Sequence, residues 1–458
     1  MGEREFDVVV IGAGPAGEVL AGRLAERGLA TAVVESGLIG GECAFYACMP
    51  SKALLRPAEL LGEAQRVPGV REAVTAALDA DAVLRRRDEI VHDRDDSDQL
   101  TWLTDRGITV VREHGRLDGA RLVRAGDELL RARRAVAIAT GSEPALPPIP
   151  GLADARPWTN RDATTSKVVP PRLLVLGGGV VGVELAQAFA SLGSSVTVIE
   201  GGPRVLAREE PFAADAVDAA LRDRGVEVLA AVTATRVQRP AAGGEVTLTL
   251  EGGRELVGDE LLVAVGRRPS TGALGLETVG LAPGEYLHVD DRMRVDGHPW
   301  LYAIGDVNGR ALLTHMGKYQ AHVASMVIDG GDARATQDGP GSPRVIFTDP
   351  QVAAVGMTEA AARAAGLQVR TVSHPSSGTA GASFVGRSTP GSSQLVVDAA
   401  RDVIVGATFV GFEVAEWLHA ATVAVVGEIP IARLWDCVPA FPTRSEVWLR
   451  LLEAHECG

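Results

Sequence analysis

One local pattern occurs twice and limits what this chain can fold into. Residues 6–11 form a short β-rich run followed by Gly-Ala-Gly-Pro-Ala-Gly at 12–17. Helical spacing continues over 18–27, and a second strand over 30–34 ends at Glu35. The same order returns with a strand at 172–176, Gly-Gly-Gly-Val-Val-Gly at 177–182, a helix at 183–192, and a strand at 195–199 ending at Glu200. A lone glycine fingerprint is weak evidence, but two with strand, helix and terminal acid in place are strong. The first glycine of each unit (Gly12, Gly177) permits a tight turn. The second (Gly14, Gly179) lets backbone approach a pyrophosphate, and the third (Gly17, Gly182) lets helix and strand pack closely. Each helix N-terminus faces the phosphates. Glu35 and Glu200 can each accept hydrogen bonds from an adenosine ribose. The expected fold is α/β, with two Rossmann-like dinucleotide-binding domains.

A chain of 458 residues is too long for one core and suggests about three domains. Residues 57–104 read as mostly helical, 137–141 as a strand end, 144–150 as a proline-rich crossover and 301–306 as a strand ending at Asp306. From 344 onward, strands at 344–347, 394–397 and 403–410 alternate with amphipathic helices at 359–365 and 415–426, after a linker at 329–343. The expected partition is 1–155 and 265–340 for one dinucleotide domain, 156–264 for the inserted second, and 341–458 for a C-terminal α+β domain.

Charge and composition exclude several classes. The net charge is −14, which argues against nucleic-acid or anionic-membrane surfaces. No apolar run approaches the roughly 20 residues of a membrane span. The N-terminus lacks a signal-peptide layout, so a cytoplasmic protein is expected. Only Lys52, Lys167 and Lys318 are lysines among 45 basic residues, which makes each retained lysine informative.

Four cysteines are present: Cys43, Cys48, Cys437 and Cys457. Cys43 and Cys48 lie five apart and open a helical stretch just after the first dinucleotide unit. A helix N-terminus lowers a thiol's pKa, and only the thiolate is nucleophilic. The pair therefore reads as a redox dithiol; two inert buried thiols or half a metal site are the alternatives. No second ligand pair with metal spacing is found, and no metal is expected.

The segment Gly40-Gly-Glu-Cys43-Ala-Phe-Tyr-Ala-Cys48-Met-Pro-Ser-Lys52 resembles the signature of the FAD-dependent pyridine nucleotide-disulfide oxidoreductases, a family that includes dihydrolipoamide dehydrogenase, glutathione reductase and mercuric reductase. The resemblance extends to both glycine fingerprints, to Ala139-Thr-Gly141, Gly266-Arg-Arg-Pro269 and Ala303-Ile-Gly-Asp306, and to Phe347-Thr-Asp-Pro350. It implies FAD at the first unit, with Gly141 and Asp306 contributing, and a nicotinamide cofactor at the second, with Gly266 nearby. It implies that Cys48 is the charge-transfer thiol, Cys43 the interchange thiol, Lys52 the lysine near the flavin, and Glu184 its ion-pair partner. The last domain would form a homodimer interface. Glu200 argues for NADH; Arg204 keeps NADPH open.

One departure bears on mechanism. Members of the family end in His-Pro-Thr-x-x-Glu, whose histidine is the acid/base of thiol–disulfide interchange. The matching stretch here is Phe441-Pro-Thr-Arg-Ser-Glu446, so Glu446 is kept and the proton carrier is not. Neither His419 nor His455 stands at the motif position. A positioned acid/base contributes roughly 10²–10⁴-fold, so ordinary high-pKa disulfides would be poor substrates. The expected acceptor is a small molecule: a non-standard disulfide or another thiol-reactive species. A flavin-only quinone or diaphorase-type reductase, a mercuric-reductase-like enzyme, and a relay exchanging disulfides with a thiol-protein partner through Cys457 are the other readings.

Overall fold

The computed structural model describes residues 2–457 apart from 242 and 387–390. Two units emerge from the packing. The first comprises the chain up to Pro50, Asp88–Ala145 and Arg267–Ser342; the second comprises Ser51–Arg87, Leu146–Gly266 and the chain from Pro343.

In the first unit, strand Glu3–Ile11 lies between Thr31–Val34 and Glu128–Ile138, parallel to both. Thr109–Val111 and His298–Ala303 extend the sheet outward, also in parallel. Parallel neighbours need crossovers, and helix Pro15–Glu26 supplies the first. The valine-rich strands alternate faces. Val8, Val10 and Val33 meet Leu20 and Leu24 of that helix and Ala324 of helix Thr314–Ile328, whereas Val9, Ile11 and Val34 pack toward Val123 and Leu276.

Register matters more to function than layer order. Ile11 pairs with both Val34 and Ile138, and Ile138 pairs with Ala303. The carboxyl ends of four strands are therefore level. Gly12, Glu35, Gly141 and Asp306 all follow that one edge, where open α/β sheets bind ligands.

The second unit repeats the device. Strands Glu227–Leu229, Ser195–Ile199, Arg172–Leu176 and Glu260–Val263 form a parallel sheet in that order. Leu176 pairs with Ile199 and Val263, so Gly177, Glu200 and Gly266 share an edge. An antiparallel meander (Ala234–Gln238, Val246–Leu250, Glu255–Gly258) covers one face, and helices cover the other. The last part of the unit is an antiparallel sheet in the order Arg344–Ile346, Gln351–Gly356, Val403–Gly411, Ser392–Asp398, Val369–Pro375. Helices Leu418–Val426 and Val447–Cys457 close over it.

Both glycine-turn helices begin earlier than helical spacing indicates, at Pro15 and Val180. In each, the middle glycine is the N-cap and supplies no side-chain hydrogen bond. The first-turn N–H groups therefore remain directed at the crevice.

Phe409 is fully buried, with ring contacts to Trp417 at 6.0 Å and Trp448 at 5.8 Å. Phe409→Ala is expected to cost about 3–5 kcal/mol. A lowered thermal midpoint at equal protein concentration checks it.

Candidate active site

The crevices are built by backbone contact. Gly12 has φ +101°, and a Cβ there would come 2.5 Å from the Ala139 carbonyl oxygen. A Cβ on Gly17 would overlap the Gly12 carbonyl. Gly14 differs: no protein atom stands within 4 Å of its Cβ position. The fold therefore requires the outer glycines but not the middle one, whose open surroundings leave room for a ligand to approach the backbone. Gly177, Gly182 and Gly179 repeat this division: a Cβ on Gly177 would come 2.5 Å from the Ala264 carbonyl oxygen.

Glu35 is fixed by backbone donors, accepting from Ala13 N at 2.7 Å and Gly37 N at 2.7 Å. Glu200 is held alike, from Gly178 N and Gly202 N at 2.6 Å each. Each carboxylate is thus set at the mouth of its glycine turn. Arg204 pairs with Asp215 at 3.5 Å. Gly141 and Gly266 take positive φ in open surroundings. Asp306 accepts from Ser142 Oγ at 2.6 Å, and Arg267 Nε donates to the same hydroxyl at 2.6 Å. Burial raises the Asp306 pKa above the usual range, against the Ser142 hydrogen bond and the Arg267 charge. Two level crevices, open middle glycines and paired terminal acids fit a dinucleotide in each unit.

Cys43 lies on helix Gly41–Phe45, and Cys48 opens helix Cys48–Arg66. Their thiols lie within hydrogen-bond reach of each other. Thr314, the first residue of helix Thr314–Ile328, touches both: its Oγ1 lies 3.4 Å from Cys48 Sγ, and it hydrogen-bonds Cys43. The hydrogen bond with Cys48 raises the Cys43 pKa far above the ordinary thiol value, with burial and the Cys48 charge adding to it. The two sulfurs are therefore unequal, and Cys43 is the one that keeps its proton.

In the second unit, Lys52 Nζ donates to Glu184 Oε2 at 2.6 Å and lies 4.8 Å from the Phe347 ring centre. Glu184 is 3% exposed, and its other oxygen accepts from Phe347 N at 2.9 Å. Gln187, one turn along the same helix, accepts from Asp349 N at 2.9 Å.

The C-terminal segment carries Phe441 with 76% of its surface exposed. Glu446 is 7% exposed, and its Oε2 has no hydrogen-bond partner among the described residues. Leaving a buried acceptor unsatisfied is costly. His455 pairs with Asp402 at 3.0 Å, and His419 is exposed. Arg444 is engaged by Glu413 at 2.9 Å and by the Phe412 ring at 5.2 Å. Cys437 and Cys457 are exposed. Among the described residues, no group of three or more His, Cys, Asp or Glu is placed to hold a metal.

Sequence reading gave no role to Thr314, Ser142 or Arg267, although Arg267 lies within the quoted Gly266-Arg-Arg-Pro269. Each is tied to a partner more than 100 residues away. It also left Lys318 without a role, although the scarcity of lysine flagged it.

A glycine-turn crevice in each unit and a dithiol in the first fit a flavoprotein that exchanges electrons with a pyridine nucleotide. Residues 6–326 match the pyridine nucleotide-disulphide oxidoreductase family, and 342–451 match that family's dimerisation domain. The chain belongs to this family and is a flavin-dependent oxidoreductase. It is 34% identical to a mercuric reductase of Acidithiobacillus ferrooxidans over 97% of this chain and 81% of the relative. It is also 34% identical to a dihydrolipoyl dehydrogenase of Thermus scotoductus, over 98% and 97%. Among solved structures, the Cu(II) complex of the HOCl-induced flavoprotein disulfide reductase RclA from Escherichia coli superposes with a TM-score of 0.84 at 28% identity, covering 97% and 99%. Among the described residues, no helix is long and apolar enough to cross a membrane.

Gly14→Val is expected to fold normally and lose FAD, whereas Gly17→Val disturbs the fold itself. Circular dichroism together with flavin content per chain separates the two outcomes.

Proposed function

We propose that this enzyme is an NADH-dependent reductase that passes an electron pair through Cys43 and Cys48 to a small thiol-reactive acceptor. The acceptor's reduced form must depart without a proton from residue 441, as a reduced soft metal or the acidic thiol of an activated disulfide does. The carrying observation is the dithiol bound by Thr314 in a chain whose acid/base position is Phe441. FAD, when bound, supplies the two-electron relay between nicotinamide and disulfide. Gly12, Gly14, Gly17, Glu35, Gly141 and Asp306 would hold it, and Gly177, Gly179, Gly182, Glu200 and Gly266 would hold the nicotinamide cofactor. Lys52, oriented by Glu184, supplies a fixed positive charge.

The partition into 1–155 with 265–340, 156–264 and 341–458 follows from this reading. Glu200 supports NADH, because its fixed carboxylate would repel a 2′-phosphate. The exposed side chains of Phe384, Val438 and Phe441, within the matched dimerisation domain, support a homodimer. A redox-active cysteine pair in a chain of four cysteines suits a reducing compartment such as the cytoplasm. The names of its relatives, mercuric reductase and a disulfide reductase in complex with Cu(II), support a thiol-seeking acceptor.

Steady-state NADH oxidation tests the reading. An aryl disulfide and a soft metal ion should turn over, with lipoamide and oxidised glutathione roughly 10²–10⁴-fold slower. Cys43→Ser should abolish turnover of the first two; retained turnover would make the enzyme a flavin-only reductase. Phe441→His, which offers Glu446 a partner, should accelerate the alkyl disulfides by about 10-fold or more. Glu200→Ala should lower kcat/KM for NADH and raise it for NADPH.

A further inference from the structure

The dithiol has a cationic neighbour that the proposed reaction has not used. Lys318 lies one turn beyond Thr314 on helix Thr314–Ile328, and residues four apart share a helix face. Thr314 touches Cys48 and bonds Cys43, so that face is the one turned to the sulfurs. Lys318 is exposed, and its charge favours the ionised form of both Cys43 and Glu18 of helix Pro15–Glu26.

We propose that Lys318 is the positioning cation of the dithiol: from its place one turn past Thr314, its ammonium stabilises the Cys43 thiolate in the reduced site. This inference rests on the dithiol reading above and deepens it. The need for such a charge follows from the site itself. Cys48 and burial both favour the protonated, unreactive Cys43. The Thr314 hydrogen bond and the Lys318 charge are what oppose them.

The exchange balances without a proton from Lys318. The Cys43 thiolate attacks one sulfur of a disulfide acceptor, forming a mixed disulfide and expelling the first thiolate. The Cys48 thiolate then attacks Cys43, closing the Cys43–Cys48 bond and expelling the second. Two electrons pass from the cysteine sulfurs to the acceptor, and both leaving thiolates take protons from solvent.

Other charges face this lysine. Glu18 is pushed up to about 7 by burial, with Glu35 and Asp96 adding to the shift and Lys318 opposing it. As Glu18 ionises it competes with Cys43 for the ammonium. On Lys318's own helix, His315 lies in the first turn, and His322 is lowered by burial and by Arg23 and Arg27.

The test is alkylation by iodoacetamide of the anaerobic, two-electron-reduced holoenzyme across about pH 5–10, with the modified cysteine identified by peptide mass. In Lys318→Gln the Cys43 profile should move to higher pH, and labelling at pH 7 should slow roughly three- to tenfold. Lys318→Arg should retain the wild-type profile. Flavin content and the long-wavelength thiolate-to-flavin band should be unchanged in both, which excludes a merely structural effect. Superimposable profiles for wild type and Lys318→Gln, with the band present, would overturn the role of Lys318 alone. Absence of the band in reduced wild type would overturn the dithiol reading and this inference with it.

Discussion

The site depends on one backbone contact made twice: the glycine turn of each dinucleotide unit lies directly against a neighbouring strand end. Gly12 is pressed on Ala139, and Gly177 on Ala264, at the same distance. Only a chain without Cβ can turn there, and the turn can form only if the two strand ends are level. The register Ile11–Ile138 and Leu176–Val263 meets that condition. Once the ends are level, Glu35, Gly141 and Asp306 fall on one edge, and Glu200 and Gly266 on another. Hydrophobic packing of alternating valines holds the register, since a slip of one residue would turn the whole apolar set outward.

Chemistry enters through asymmetry. Two thiols in one site do not ionise together, because each charge opposes the other. Their environments decide which sulfur carries the charge, and here Cys43 is disfavoured. The first unit therefore holds two thiols of which Cys43 is held toward its protonated form by Cys48 and by burial. In the second unit, Glu184 divides its oxygens between Lys52 and the Phe347 backbone, tying a charge to the segment that opens the last domain.

Much of this was legible in the sequence, for a physical reason. Glycine turns, strand runs and terminal acids are local, so both units could be read from spacing, and the structure places Glu35 and Glu200 at the turns they follow. The signature around Cys43 and Cys48 is equally local. What escaped is nonlocal. Thr314 reaches the dithiol only because helix Thr314–Ile328 packs on helix Pro15–Glu26, and nothing near residue 314 announces it. The Arg267–Ser142–Asp306 chain depends on strand Arg267–Pro269 pairing with Ser142–Pro144. Helix starts were displaced because a glycine N-cap leaves no side-chain signal. Arg444 could not be placed from sequence, because its partners Phe412 and Glu413 belong to a different turn of the chain.

The open surroundings of Gly14 and Gly179 bear on how such a chain ages. The outer glycines answer to the fold and must persist in any descendant that still folds. The middle ones are free of that packing demand and, on the proposed reading, answer to what is bound. In a lineage that stopped using one of its two dinucleotides, the middle glycine of that unit would be released first, while its neighbours stayed fixed. Each unit thus carries two rates of change side by side, and their comparison dates the loss of a ligand without any measurement of binding.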